Sequence, residues 1–416
     1  MSDEVLDFQL NNMKSLITRI IEDMNISESS CPAGARVAVM SYSDTAKRVI
    51  RFSDYLTKGT LLQLVKDRVL YERTSGQRDL GEAMMYTARH MFKRTRGGML
   101  GTKMAIFMTR MYMGRGDFAR VQTTEQQLYT AAMELYANDI TPVIVTSVSP
   151  ESQLTDAFLN FPGRYGIISD SSEEQIMGRL RACFLCYDSC HPDPTCPAER
   201  HSPVNVNADV LFMLDSSHGI SEVEYEQARG FLYSMVDRFG PSGASPSPLL
   251  TGARLALVQH SGVTPGKRDP IEVEFNFLKY AGKQEAMKNH IQHLTRRIHG
   301  SSALGPALDY VIGRLFNKQT RSNKVIFIIL GGASDHRDHR LKEIALKAKC
   351  AGYILFTLSL GSKTRYRELY TISSQPISAH SCQLDVAGAD DIDYALRFAE
   401  SFFSFLPSKW ASKTLP

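Results

Sequence analysis

The chain has 416 residues, 43% of them hydrophobic and 22% charged, with a formal net charge of +4. That length suits two ordinary domains, and the composition can bury a core in each. The small charge with no long basic run excludes an electrostatic nucleic-acid binder, and no run of about 18 apolar residues is present to span a membrane.

In chain order, Met1 to Asp7 carries no basic or apolar leader, so the sequence as given shows no secretory signal. Phe8, Met13, Leu16, Ile17, Ile20 and Ile21 recur at helical spacing and predict an amphipathic helix. Asn25-Ile26-Ser27 is a glycosylation sequon. A series of segments follows: Ala35-Arg36-Val37-Ala38-Val39, then Gly81-Glu82-Ala83-Met84, then Lys103-Met104-Ala105-Ile106-Phe107. It returns as Ala253-Arg254-Leu255-Ala256-Leu257, Gly305-Pro306-Ala307-Leu308 and Lys324-Val325-Ile326-Phe327-Ile328. Residues 35 to 103 are 68 positions apart and residues 253 to 324 are 71, so order, type and spacing mark an internal duplication.

Between the copies, Cys183, Cys186, Cys190 and Cys196 crowd a segment broken by Pro192, Pro194 and Pro197. The spacing departs from a regular zinc knuckle, so disulfides in an exported protein are the expectation. In the second copy, Ala208 to Asp215 reads as a strand ending in an acid. Val325 to Leu330, Tyr353 to Leu360 and Gln383 to Val386 read as further strands, and His339 to Cys350 and Asp390 to Leu406 as helices. This alternation predicts an α/β class of two doubly wound, mainly parallel-sheet domains. The first copy opens directly on its helix and lacks a first strand. Expected boundaries are a truncated domain at 1–182, a linker at 183–207, a complete domain at 208–406 and a tail at 407–416.

Strand, acid-and-serine turn, helix and the repeated series resemble the von Willebrand factor type A domain. Two such domains joined by a cysteine-rich segment are similar to the C-terminal region of the collagen VI alpha chains, in the alpha-4/5/6-like branch. The resemblance implies a Mg²⁺-type site at the carboxyl edge of the sheet. In the second copy Asp215, Ser217 and Ser302 match the family's ligands, whereas Gly219 and Gly331 stand where a serine and an aspartate belong. In the first copy Arg78 and Arg110 occupy ligand positions, which repels a cation. The expected cofactor is therefore none, with weak Mg²⁺ in the second domain as the lesser reading. Cys350 and Cys382, flanking strands that this fold makes neighbours, are a candidate disulfide pair.

Arg115-Gly116-Asp117 is an integrin-type motif in the loop after a first-copy strand. His290 and His293 share a helix face, with solvated rings and no carboxylate partner as the expectation. No nucleophile elbow, Walker loop or dinucleotide fingerprint occurs, so the sequence reads as a binding protein and not an enzyme. The implied function is a secreted extracellular-matrix module that docks other collagen VI-like chains, matrix proteins and integrins. An intracellular metal-dependent scaffold on the same fold, or a non-functional truncated copy, is the alternative.

Overall fold

The computed structural model describes residues 7–27, 34–69, 76, 78–92, 102–109, 125–146, 152–170, 172–186, 191, 193–196, 203–240, 250–261, 271–296, 300–316, 321, 323–332, 340–361, 363–384 and 389–407. The chain divides into two compact units, Met1–Arg200 and His201–Pro416.

The first unit begins with α1 (Asp7–Asp23), which buries Leu16, Ile20 and Ile21. An antiparallel hairpin follows, β1 (Val39–Tyr42) and β2 (Ala46–Ile50). Next come α2 (Lys58–Leu64), capped by the Thr57 hydroxyl, and α3 (Leu80–Tyr86), capped by the Asp79 carboxylate; each runs on into a wider π-type turn. The unit continues through β3 (Lys103–Thr109), α4 (Glu125–Ala137), β4 (Ile140–Thr146), α5 (Ser152–Leu159), β5 (Gly166–Ser169) and α6 (Glu173–Leu180).

The second unit comprises β6 (Val204–Asp215), α7 (Glu222–Arg238), β7 (Leu250–His260), β8 (Ile271–Phe275), α8 (Gln284–Gln292) and α9 (Leu304–Tyr310). It then adds β9 (Asn323–Leu330), α10 (Leu341–Cys350), β10 (Tyr353–Leu360), α11 (Tyr366–Ile372), α12 (Ile377–His380), β11 (Ser381–Leu384) and α13 (Ala389–Phe405). Helix α7 starts on a full capping box, Ser221 with Glu224. Strand β6 begins at Val204, four residues before the apolar run suggested, because Val204 and Asn205 already pair with Leu250 and Thr251.

Six strands of the second unit form one sheet in the order β11-β10-β9-β6-β7-β8, parallel except for the edge strand β8. Strand β6 is central, so its residues 208–215 are buried throughout, as a strand covered on both faces requires.

The first unit repeats this layout without its centre. Its strands form two separate sheets, β3-β4-β5 and β1-β2. The hairpin keeps even the register irregularity of its counterpart: a shift between Val39 and Met40 matches one between Leu257 and Val258. Where β6 would stand, β1 and β3 do not pair. The core divides accordingly. Leu16 and Ile20 of α1 pack with Val143, Val145 and Leu180, while Ile21 packs with Ile50, Leu61 and Val65. Among the described residues the first unit's strands therefore stand as a divided sheet.

Candidate functional site

The turn after β6 carries the acid-and-serine motif to the carboxyl edge of the second unit's sheet. Asp215, Ser216 and Ser217 are all fully buried there. One Asp215 carboxylate oxygen accepts from the Ser217 backbone N–H at 2.9 Å, the other from the Gly331 N–H at 3.2 Å. The Ser217 hydroxyl accepts from the Gly219 N–H at 3.1 Å. Ser302, just ahead of α9, is buried, and its hydroxyl finds no hydrogen-bond partner among the described residues.

Two neighbours that sequence reasoning missed change this site. Arg296 donates to the carbonyl of Ser216 at 2.9 Å and to that of Ser217, fixing a guanidinium behind the turn. His260, at the end of β7, is fully buried with no hydrogen-bond partner at either ring nitrogen among the described residues. Burial pushes its pKa below the usual imidazole range, opposed by the Asp215 carboxylate. The only sequence signal for His260 is a polar residue closing an otherwise apolar run.

Gly331 is closed to a larger side chain. A Cβ there would lie 2.4 Å from the Cβ of Ile220, so Ile220 fills the space that the family's aspartate would need. One carboxylate whose oxygens already accept backbone N–H groups, with two hydroxyls, is a poor fit to a cation that takes six oxygens. The described residues contain no group of three His, Cys, Asp or Glu side chains able to hold a metal ion.

At the matching edge of the first unit, Tyr42 takes the place of His260. Burial raises its phenol above the usual range, opposed by Thr109 and by the charge of Arg78. Arg78 thus lies near the end of β1, whereas Arg110 and the Arg115-Gly116-Asp117 motif fall outside the described residues.

Comparison with known proteins places these observations. The von Willebrand factor type A domain matches residues 1–157 and 209–392. The chain belongs to the von Willebrand factor type A family. Among its relatives, the collagen alpha-6(VI) chain of Mus musculus is 34% identical over 412 residues, covering 97% of this chain and 18% of that protein. The collagen alpha-5(VI) chain of Homo sapiens is 34% identical over 411 residues, covering 96% and 15%. The collagen alpha-4(VI) chain of Mus musculus is 32% identical over 423 residues, covering 98% and 18%. The chain therefore spans less than a fifth of these relatives and resembles a type A region of the alpha-4/5/6 branch.

Cysteines divide between core and surface. Cys183 bonds Cys196, with their Cα atoms 5.2 Å apart, and Cys183 is buried among Ile176, Leu180 and Phe184. Cys183 is thus a core residue of the first type A unit as well as the start of the connector. Cys186 is an exposed free thiol, and Cys190 lies outside the described residues. The expected Cys350–Cys382 pair is not formed, since Cys350 is an exposed free thiol. The strands are indeed parallel neighbours, but Cys382 pairs with Leu358, well up β10, while Cys350 precedes the first residue of that strand.

Asn25 of the sequon is exposed. His290 corrects the expectation of solvated rings: its Nε2 lies 2.9 Å from the Glu274 carboxylate and its Nδ1 2.9 Å from the Tyr280 hydroxyl. Glu274 comes from strand β8, which helix periodicity alone does not bring into view. His293 keeps to its own helix, with Nδ1 2.8 Å from the Asn289 carbonyl.

Proposed function

We propose that the chain is a non-catalytic, secreted module of the extracellular matrix, which docks other collagen VI-like chains and matrix proteins through surface complementarity and without a bound cation. The single observation that carries the cation-independent reading is the closed ligand position at Gly331, where Ile220 occupies the space of a carboxylate. Similarity of 32–34% to collagen VI chains over nearly the whole length supports the matrix setting. The Cys183–Cys196 bond suits an oxidising compartment, and the exposed Asn25 suits modification there. No described helix is long and apolar enough to cross a membrane.

The test is surface-plasmon measurement of the full chain against immobilised fragments of collagen VI chains, in Mg²⁺ and again in EDTA. Equal binding in both conditions supports the proposal. Binding that disappears in EDTA, or its absence in both, overturns it.

A further inference from the structure

The turn after β6 belongs to no strand or helix, so its carbonyls need donors from elsewhere. Ser216 and Ser217 are fully buried, and water cannot supply those donors. The chain supplies them from its own cations. Arg296 donates through Nε to the Ser216 carbonyl at 2.9 Å and through Nη2 to the Ser217 carbonyl. One planar fork thus spans two successive acceptors, which a single ammonium does not do. The Ser217 carbonyl also accepts from the Ile220 N–H, at a longer 3.4 Å. In the loop after β10, Lys363 Nζ lies 3.4 Å from the Gly219 carbonyl and 3.6 Å from the Glu224 carboxylate. At 216, 217 and 219 the turn is therefore held by positively charged side chains.

Arg296 is itself held in place. Of the two carbonyls before it, that of Leu294 accepts from Arg229 of α7 at 3.3 Å and that of Thr295 from Gln259 of β7 at 2.9 Å. Gln259 is fully buried and bonded at both ends of its amide. Its Nε2 also donates to Glu274 at 2.8 Å, and its Oε1 accepts from the Tyr225 hydroxyl at 3.0 Å. An amide so engaged has one orientation, and it gives the backbone at 295 one position. The His218 N–H donates to the Gly300 carbonyl at 2.7 Å, which ties the turn to the segment ahead of α9 as well.

We propose that Arg296 is the positioning residue of the docking edge: its guanidinium sets the shape of Ser216–Gly219 that a partner meets, with Lys363 supporting it at Gly219. This role rests on the cation-independent docking proposed above, and places that docking at the carboxyl edge of the second sheet. The charges agree with it. A guanidinium and an ammonium bonded to this turn repel a divalent cation that approaches Asp215.

The test uses the full chain, with residue-resolved hydrogen exchange and binding to immobilised collagen VI fragments read side by side. Arg296→Gln should speed exchange of the Ser217, Gly219 and Gly331 amides about tenfold, and leave Ile326–Ile329 and Leu355–Leu358 within about twofold of the parent. It should weaken fragment binding about tenfold, in Mg²⁺ and in EDTA alike. Arg296→Lys, which keeps the charge but serves one carbonyl, should fall between the parent and the Gln variant in both readouts. Unchanged exchange in the turn overturns the proposal, as does equal acceleration in the sheet strands, which would make Arg296 a general stabiliser. A faster turn with unchanged fragment binding overturns it too, because docking would then lie elsewhere. If the parent itself binds no fragment, the docking reading fails, and exchange alone decides whether Arg296 sets the turn.

Discussion

The Tyr42 hydroxyl donates to the backbone carbonyl of Met108 at 3.2 Å, joining the end of β1 to the end of β3. At the matching height of the second unit, Leu214 of β6 is paired with Ile329 of β9. A side chain in the first unit thus reaches a backbone acceptor beside which the second unit places a strand. The two strands are not paired with each other and belong to separate sheets. The same duplicated sequence consequently yields one continuous sheet and one divided sheet, and several consequences can be measured.

The paired arginines should differ in cost. Removing Arg254 leaves the buried Asp209 carboxylate without its cation and, among the described residues, with only the Arg321 backbone N–H, 2.9 Å away, as a donor, so Arg254→Gln should destabilise the second unit by about 3 kcal/mol. Arg36 serves the carbonyls of Phe52, Ser27 and Tyr55, which water can also serve, and it stacks on Tyr55 with its guanidinium 4.8 Å from the ring centre. Arg36→Gln should therefore cost the first unit only about 1–2 kcal/mol. Denaturant unfolding followed by hydrogen exchange in each unit separates the two values, and equal costs would contradict the reading.

Restoring the family's ligands should not restore a cation site. Gly331→Asp forces a Cβ against Ile220 and should lower stability by about 1–3 kcal/mol or more. Calorimetric titration of that variant with Mg²⁺ should show no binding. Gly219→Ser meets the Ser217 hydroxyl at 3.2 Å and the Gly332 Cα and N at 3.4 and 3.8 Å, so it should fold nearly as the parent does.

Acid should loosen the second unit through His380. This ring is fully buried, and burial pushes its pKa down to about 4, opposed by the Pro376 carbonyl 3.0 Å from Nδ1. An unfolded imidazole titrates near 6.5, so below that pH the unfolded chain takes up a proton that the folded chain refuses. Stability contributed by neutral His380 is thus intact above pH 6.5, falls as the pH drops toward 4, and changes no further below it. The full loss is about 3 kcal/mol. Urea midpoints of His380→Gln between pH 7 and 4 should show a visibly flatter slope than those of the parent.

The Cys183–Cys196 bridge closes a short loop of sequence separation 13 onto the first core. Replacing both cysteines by serine should destabilise that unit by about 2–4 kcal/mol. Differential alkylation should label Cys186 and Cys350 before reduction and Cys183 and Cys196 only afterwards; early labelling of Cys183 would refute the assignment.

Much of the layout was legible in the sequence because apolar runs mark buried strands. Tyr353 to Leu360 became β10 residue for residue, and Asp390 to Leu406 became α13 within one residue. Of the two copies as given, only the second carries a run like Ala208 to Leu214, and that run is the central strand β6. Features set by register or by packing across the sheet were not. Cys350 and Cys382 flank neighbouring strands, yet only strand register shows that they sit at different heights. The His290–Glu274 contact joins a helix to an edge strand, and no local pattern announces it. At the carboxyl edge of the second sheet, the family resemblance gave Gly331 as the place where an aspartate is expected. The structure adds that Ile220 occupies the space a Cβ at Gly331 would need.

The most direct measurement is native-state hydrogen exchange on the full chain, residue by residue, comparing β1 and β3 with β7 and β9. The gap-facing amides of β1 and β3 should exchange orders of magnitude faster than their counterparts, because β6 serves those counterparts and nothing described serves the former. Comparable protection in both pairs of strands would mean that the first unit closes its own sheet, and would contradict the divided fold.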